Sequence, residues 1–203
     1  IGIFNVSTAS AFVASQCGAK VAKHGNRSAT RSSGSADLLE QAGVPLTLKP
    51  SEVADCIKNI GLGFMFAPAH HSAMKHVVGP RKEIAQKSIF NILGPLTNPA
   101  SAKRQVMGVY DKKWMRPITN VLKELGSEHT MIIHSEDGLD EISIASPTFV
   151  IEMKDGDISE YTVNPEDFNF KTSTLNGLQV NSPEESLNLI KLALVDKHKE
   201  ASS

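Results

Sequence analysis

Long hydrophobic runs are missing from this 203-residue sequence. No apolar stretch approaches the length needed to span a bilayer, which sets aside a protein built on membrane helices. The first residues show neither a basic start nor a small-residue cleavage site, so no secretory leader is read there. Cysteine is scarce: Cys17 and Cys56 are the two, and both fall in helical patterns without ligand-type neighbours. That excludes a disulfide scaffold or a zinc ribbon and points to reduced thiols in a cytoplasmic protein. An excess of one charge is lacking too, since 21 Lys and Arg face 22 Asp and Glu for a formal net charge of −1. Wholesale binding to nucleic acid or to an anionic membrane calls for a basic excess and is therefore not expected. No internal repeat or low-complexity segment is found. What remains, 40% hydrophobic and 21% charged residues, is the balance of a globular chain long enough to bury a core.

Strands alternate with helices along the chain. "IFNV" (3–6) reads as a strand and "STASAFVASQCG" (7–18) as a helix capped by Ser7 or Thr8. "AKVAK" (19–23) is a second strand. "SADLLEQAG" and "SEVADCIKNIG" are helices stopped by Gly43 and Gly61, the second capped by Ser51. "LGFMFA" (62–67) is apolar throughout, as a strand covered on both faces would be. A short helix is expected around "HHSAMKHVV" (70–78), and "FNILGPLTNPA" (90–100), with two X-Pro bonds, reads as a rigid turn. Further on, "QVMGVY", "KWMRPITNVLKELG" and "HTMIIH" read strand, helix, strand, with Pro117 in the first turns of the helix or at a kink. "TFVIEMKDGDISEYTV" is a hairpin turning at Asp155-Gly156, and the last helix opens on a capping box from Ser182 to Glu185, with Pro183 at its first position. The alternation predicts an α/β fold with a largely parallel central sheet flanked by helices, whose ligands sit at the carboxyl ends of the strands.

Three loops follow candidate strands. "NVST" leads into a helix N-terminus, where free amides and the helix dipole suit a phosphate, although alone it reads equally as a plain cap. "VAKHGNRSATRSSGSAD" (21–37) crowds Lys23, His24, Arg27 and Arg31 among glycine, serine and asparagine. Solvation accounts for the charges but not for the Gly, Asn and Ser woven between them; a polyanionic ligand accounts for all of them. "EDGLDE" supplies Glu136, Asp137, Asp140 and Glu141, either an acidic surface turn or carboxylates for Mg²⁺ beside a phosphate. Its spacing starts like an EF-hand but lacks the rest, so a calcium sensor is rejected. His70, His71 and His76 lack a third ligand at zinc-like spacing and read as a polar helix face edging a pocket.

Taken in order, "NVSTASAFVA", "KHGNR" with "SGSAD", "FNILGPLTNPA" and "DGLDE" resemble the anthranilate phosphoribosyltransferase family over most of the chain. The resemblance implies the large α/β domain of the nucleoside phosphorylase and class III phosphoribosyltransferase fold. Its reaction joins phosphoribosyl pyrophosphate (PRPP) to the amine of anthranilate with Mg²⁺, in tryptophan biosynthesis. It implies PRPP contacts from Asn5, Val6, Ser7, Thr8, from Lys23, His24, Gly25, Asn26, Arg27, Ser28, Ala29, Thr30 and Arg31, and from Ser35. Anthranilate would meet Asn26, His71 and Arg81, whose charge matches the substrate carboxylate. Metal ligation would fall to Ser7, Asp140 and Glu141. No strong general base is implied, and His24 is read as a positioning group. The family's glycine-rich "GTGGDG" stretch, its N-terminal helical domain and its last strands have no counterpart here, and Ile3 stands where a hydroxyl is common. Residues 1–203 are therefore expected to be a catalytic α/β domain cut at both ends, inactive alone, from a homodimeric parent that pairs through the missing helices. Two rivals share the fold: a nucleoside phosphorylase, and a non-catalytic paralogue that binds nucleic acid.

Overall fold

The computed structural model describes residues 2–28, 34–71 and 90–202. The expected helix around 70–78, and with it Arg81 and His76, lies largely outside them, as do Ala29, Thr30 and Arg31. The described chain divides into two compact units, one of Gly2–Ser101 with Val180–Lys191, the other of Ala102–Gln179 with Leu192–Ser203.

In the first unit, helix α1 (Val6–Gln16) precedes strand β1 (Val21–Gly25), and helices α2 (Ser35–Gln41) and α3 (Pro50–Ile60) lead to strand β2 (Leu62–Phe66). The expected strand at 3–6 is not formed: Ile3 makes a single bridge and Val6 is already helical. The cap of α1 is Asn5 rather than Ser7 or Thr8, because the Asn5 carboxamide oxygen accepts the Thr8 amide at 3.0 Å and starts the helix earlier. α3 likewise begins before Ser51. Pro50 suits the first helical position, and the Glu52 carboxylate takes the Lys49 amide at 2.7 Å.

β1 and β2 pair in parallel, Val21 opposite Leu62 through Gly25 opposite Phe66. β2 buries only alternate residues, so its apolar run is not covered on both faces; α3 lies against it, with Val53 buried. A core of Ala36, Leu39 and Leu46 packs with Phe12, Val44 and Phe64. After the short helix α4 (Ala67–His70), residues Phe90–Leu96 form helix α5 where a rigid turn was expected. Pro95 stands in its last turn, and the Thr97 hydroxyl donates to the Leu93 carbonyl at 3.0 Å. Beyond it, Asn98 Nδ2 donates to the Ala22 carbonyl of β1 at 3.0 Å.

The second unit holds a four-stranded sheet in the order β3 (Arg104–Gly108), β4 (His129–Ser135), β5 (Thr148–Lys154), β6 (Asp157–Val163). β3 and β4 are parallel, whereas β4–β5 and β5–β6 are antiparallel. The α/β class stands, but the largely parallel central sheet does not: the described strands make two sheets, and two of their four pairings are antiparallel. The hairpin at Asp155-Gly156 makes the β5–β6 pairing antiparallel, its residues taking φ values of 51° and 92°, the left-handed pair that a two-residue turn needs. Helix α6 (Met115–Glu124), entered through a short 3₁₀ turn (Lys112–Trp114), buries Met115, Ile118, Thr119 and Leu122 along one face against β4 and β5. Each apolar member of that face contributes roughly 1.5–3 kcal/mol. Pro117 sits in its first turn, where a missing amide costs little. A second 3₁₀ turn (Pro165–Phe168) follows β6, and the chain ends in helices α7 (Pro183–Ala193) and α8 (Lys199–Ser202). At the start of α7 the Ser182 hydroxyl accepts the Glu185 amide at 3.1 Å, while the Glu185 carboxylate reaches one residue further out, to the Asn181 amide. No helix among the described residues is long and apolar enough to cross a membrane.

Candidate functional site

β1 delivers Lys23 to the N-terminus of α1. The Lys23 ammonium donates to Ser7 Oγ at 3.0 Å, and Ser7 donates to Asn5 Oδ1 at 3.3 Å. Asn5 Nδ2 and Thr8 Oγ1 both donate to Ser35 Oγ, at 3.4 and 3.2 Å. Five residues of the expected PRPP set, Asn5, Ser7, Thr8, Lys23 and Ser35, drawn from three separate segments, are thus joined in one hydrogen-bonded network. Thr8 is its buried end; Asn5 and Lys23 are half-buried, and Ser7 is exposed. The first turn of α1 holds no acidic side chain. A lysine and a helix N-terminus side by side make a local positive field of the kind that attracts phosphate.

The same strand carries His24 to His71. Their Nε2 atoms are 3.1 Å apart and their rings meet edge to face with centroids 4.8 Å apart. Burial lowers the His24 pKa below its ordinary value; the charge of His71, and more weakly of His70, acts the same way against a bond with the Gly94 backbone. His24 therefore stays neutral at neutral pH, which suits a positioning group. Asn26 turns its side-chain oxygen onto the Arg27 amide at 2.8 Å, and its carbonyl accepts the Ala36 amide at 3.3 Å.

Arg27 is engaged by acids that sequence reasoning passed over. Its guanidinium forks onto both oxygens of Glu40, at 2.6 and 2.8 Å, and reaches Asp37 at 3.2 Å. Burial works against ionisation of Asp37, yet the Ser28 and Gly34 amides together with Arg27 hold its carboxyl below the ordinary value. The only signal in the sequence was a pair of carboxylates three residues apart on the helix after the basic loop.

In the second unit, the residues after β4 form a tight loop. Asp137 spends its carboxylate on it, accepting the Leu139 amide at 3.1 Å and the Ser143 hydroxyl at 2.6 Å, while Ser146 accepts the Asp137 amide. Burial raises the Asp137 pKa, but these donors outweigh it and leave the carboxyl below its ordinary value. Asp140 and Glu141 follow, half-buried, with the Asp140 carbonyl lying directly over Gly108 at the end of β3. Among the described residues no three His, Cys, Asp or Glu side chains gather closely enough to hold a metal by themselves. Two adjacent carboxylates fit Mg²⁺ all the same, because that ion takes one or two protein carboxylates and fills its shell with water and substrate phosphates.

Over 197 residues the chain is 62% identical to anthranilate phosphoribosyltransferase of Marinomonas, covering 97% of this chain and 57% of that protein. The crystal structure of anthranilate phosphoribosyltransferase from Thermus thermophilus superposes with a TM-score of 0.91 at 39% identity, over all of this chain and 60% of that one. The Saccharomyces cerevisiae enzyme in complex with PRPP and Mg gives a TM-score of 0.83 at 31% identity, over 94% of this chain and 52% of that one. The chain thus spans a little over half the length of the relatives it matches. The model of the glycosyl transferase family, a/b domain, matches residues 1–203 throughout. With phosphate-type groups at the end of β1 and paired carboxylates after β4, the chain belongs to the glycosyl transferase family and carries its α/β domain.

Proposed function

We propose that this chain is the α/β portion of an anthranilate phosphoribosyltransferase, which transfers phosphoribosyl from PRPP to the anthranilate amine and releases pyrophosphate in tryptophan biosynthesis. The observation that carries the reading is the network joining Asn5, Ser7, Thr8, Lys23 and Ser35 at the N-terminus of α1. In this reading Asn5, Val6, Ser7 and Thr8 bind PRPP together with Lys23, His24, Gly25, Asn26, Ser28 and Ser35. Asn26 and His71 face anthranilate. Arg81, Ala29, Thr30 and Arg31, which belong to the same expectation, lie outside the described residues.

The chemistry follows from charge. As the glycosidic bond breaks, negative charge grows on the departing diphosphate, and the Lys23 ammonium with the α1 dipole stabilises it where it forms. The sugar carbon turns oxocarbenium-like, and a weakly nucleophilic aromatic amine mainly needs placing, a task for His24 and His71. Asp140 and Glu141 would hold Mg²⁺, whose charge would offset that of a diphosphate.

Calorimetric titration of PRPP into the full-length protein, with and without Mg²⁺, tests the reading. Binding is expected with Mg²⁺, and Lys23→Ala should weaken it by roughly tenfold, the worth of one charge-assisted bond. Absence of PRPP binding in both conditions would overturn the function. Binding indifferent to Mg²⁺ would remove the role given to Asp140 and Glu141.

A further inference from the structure

Arg27 lies in the basic loop, where a phosphate ligand is the first thought, but its surroundings carry the wrong charge for one. The guanidinium makes two parallel bonds to Glu40 and a third to Asp37 Oδ1, and it lies over the Phe66 ring 5.9 Å from its centroid. One cation among two carboxylates leaves the group at net −1, which repels a polyanion. The end-on fork of Nη1 and Nη2, one of the edges a guanidinium offers for a bidentate grip on phosphate, is already turned toward Glu40.

Asp37 does a second thing. Its other oxygen, Oδ2, accepts the amides of Ser28 and Gly34 at 2.9 and 3.0 Å, so one carboxylate ties together two points six residues apart. There the two backbone stretches touch. A Cβ at Gly34 would fall 2.4 Å from the Ser28 nitrogen and 2.8 Å from the Asn26 oxygen, so only glycine allows the approach.

We infer that Arg27, Asp37 and Glu40 form a brace that closes the neck of the basic loop, and that Asp37 and Glu40 are positioning residues for PRPP binding rather than bystanders. The inference rests on the PRPP reading above for its functional consequence. The brace holds residues 26–28 at the end of β1, beside Lys23 and His24, before ligand arrives. Binding then avoids the cost of ordering that stretch.

The two roles for Arg27 predict opposite signs for one substitution in the full-length protein. If Arg27 is a brace, Glu40→Gln releases it and raises the KM for PRPP by about fivefold or more, with a smaller change in kcat and an unchanged melting temperature. Arg27→Ala, Glu40→Ala and the double variant should then be about equally impaired, since each removes the same pair. If Arg27 grips phosphate, Glu40→Gln frees the fork and lowers the KM, and Arg27→Ala harms binding additively in either background; that result overturns the inference. Amide hydrogen exchange without ligand gives an independent reading. Asp37→Asn should speed exchange at Ser28 and Gly34 by about tenfold or more, and unchanged exchange would overturn the brace. Should the wild-type protein fail to use PRPP at all, the proposed function falls while the exchange measurement still judges the brace.

Discussion

His24 and His71 share a 3.1 Å contact between Nε2 atoms, which requires that one nitrogen donate and the other accept. Protonating both would set two N–H groups against each other in a half-buried place. Because the pKa of His24 lies below the 6.5 of an unfolded chain, the unfolded state binds the proton first as pH falls. Stability should therefore decline as pH drops through about 6.5, and His24→Gln should flatten that decline; denaturant midpoints of both proteins between pH 8 and 5 check it. Thr130 offers a second case. Its hydroxyl is buried in β4 with no hydrogen-bond partner among the described residues, so Thr130→Val removes a desolvation penalty and should stabilise the protein by about 1 kcal/mol. An equilibrium unfolding curve that shifts to lower denaturant would contradict this. At this scale the sequence was informative about residue type and silent about partner. Lys23 was readable as a phosphate-type cation, but nothing in the order of residues said that Arg27, four positions on, would be taken by Glu40.

Among the elements, the legible ones are those whose signals are local. The hairpin at Asp155-Gly156, the helices ending at Gly43 and Gly61, and the Ser182 cap each depend on a few neighbouring residues. Caps went astray where several candidates competed: Asn5, Ser7 and Thr8 can all cap, and the choice fell to Asn5 because Ser35 and Lys23, distant in sequence, engage the hydroxyls. Close contacts between elements are hidden for the same reason. Gly108 ends β3 beneath the Asp140 carbonyl, and a Cβ there would sit 1.6 Å from that oxygen. Gly108→Ala must push the Asp140–Glu141 stretch aside, at a cost of about 1–3 kcal/mol. It should weaken Mg²⁺-dependent PRPP binding more than it changes secondary structure, as calorimetry and circular dichroism on the same sample would reveal.

Across the molecule, the chain leaves its first unit at Ser101 and returns to it at Val180. The returning segment is anchored where the candidate site begins: the Val180 amide donates to the Gly2 carbonyl at 2.9 Å, and the Asn5 amide to Ser186 Oγ at 3.0 Å across 181 residues. Ser186 is fully buried, so Ser186→Ala strands the Asn5 amide and should cost about 1–2 kcal/mol. By loosening the residue that caps α1, it should also weaken PRPP binding; unaltered stability and affinity would show the anchor to be dispensable. By itself, the order of amino acids determined the α/β class, most helix and strand positions and the residue types suited to a phosphate and a divalent cation, because propensity, capping and charge act over a few residues. Tertiary structure decided that the described strands form two sheets, that Asn5 is the cap, and that Arg27 answers to Glu40 and Asp37. Those outcomes turn on distances between residues far apart in sequence, which only the folded chain sets.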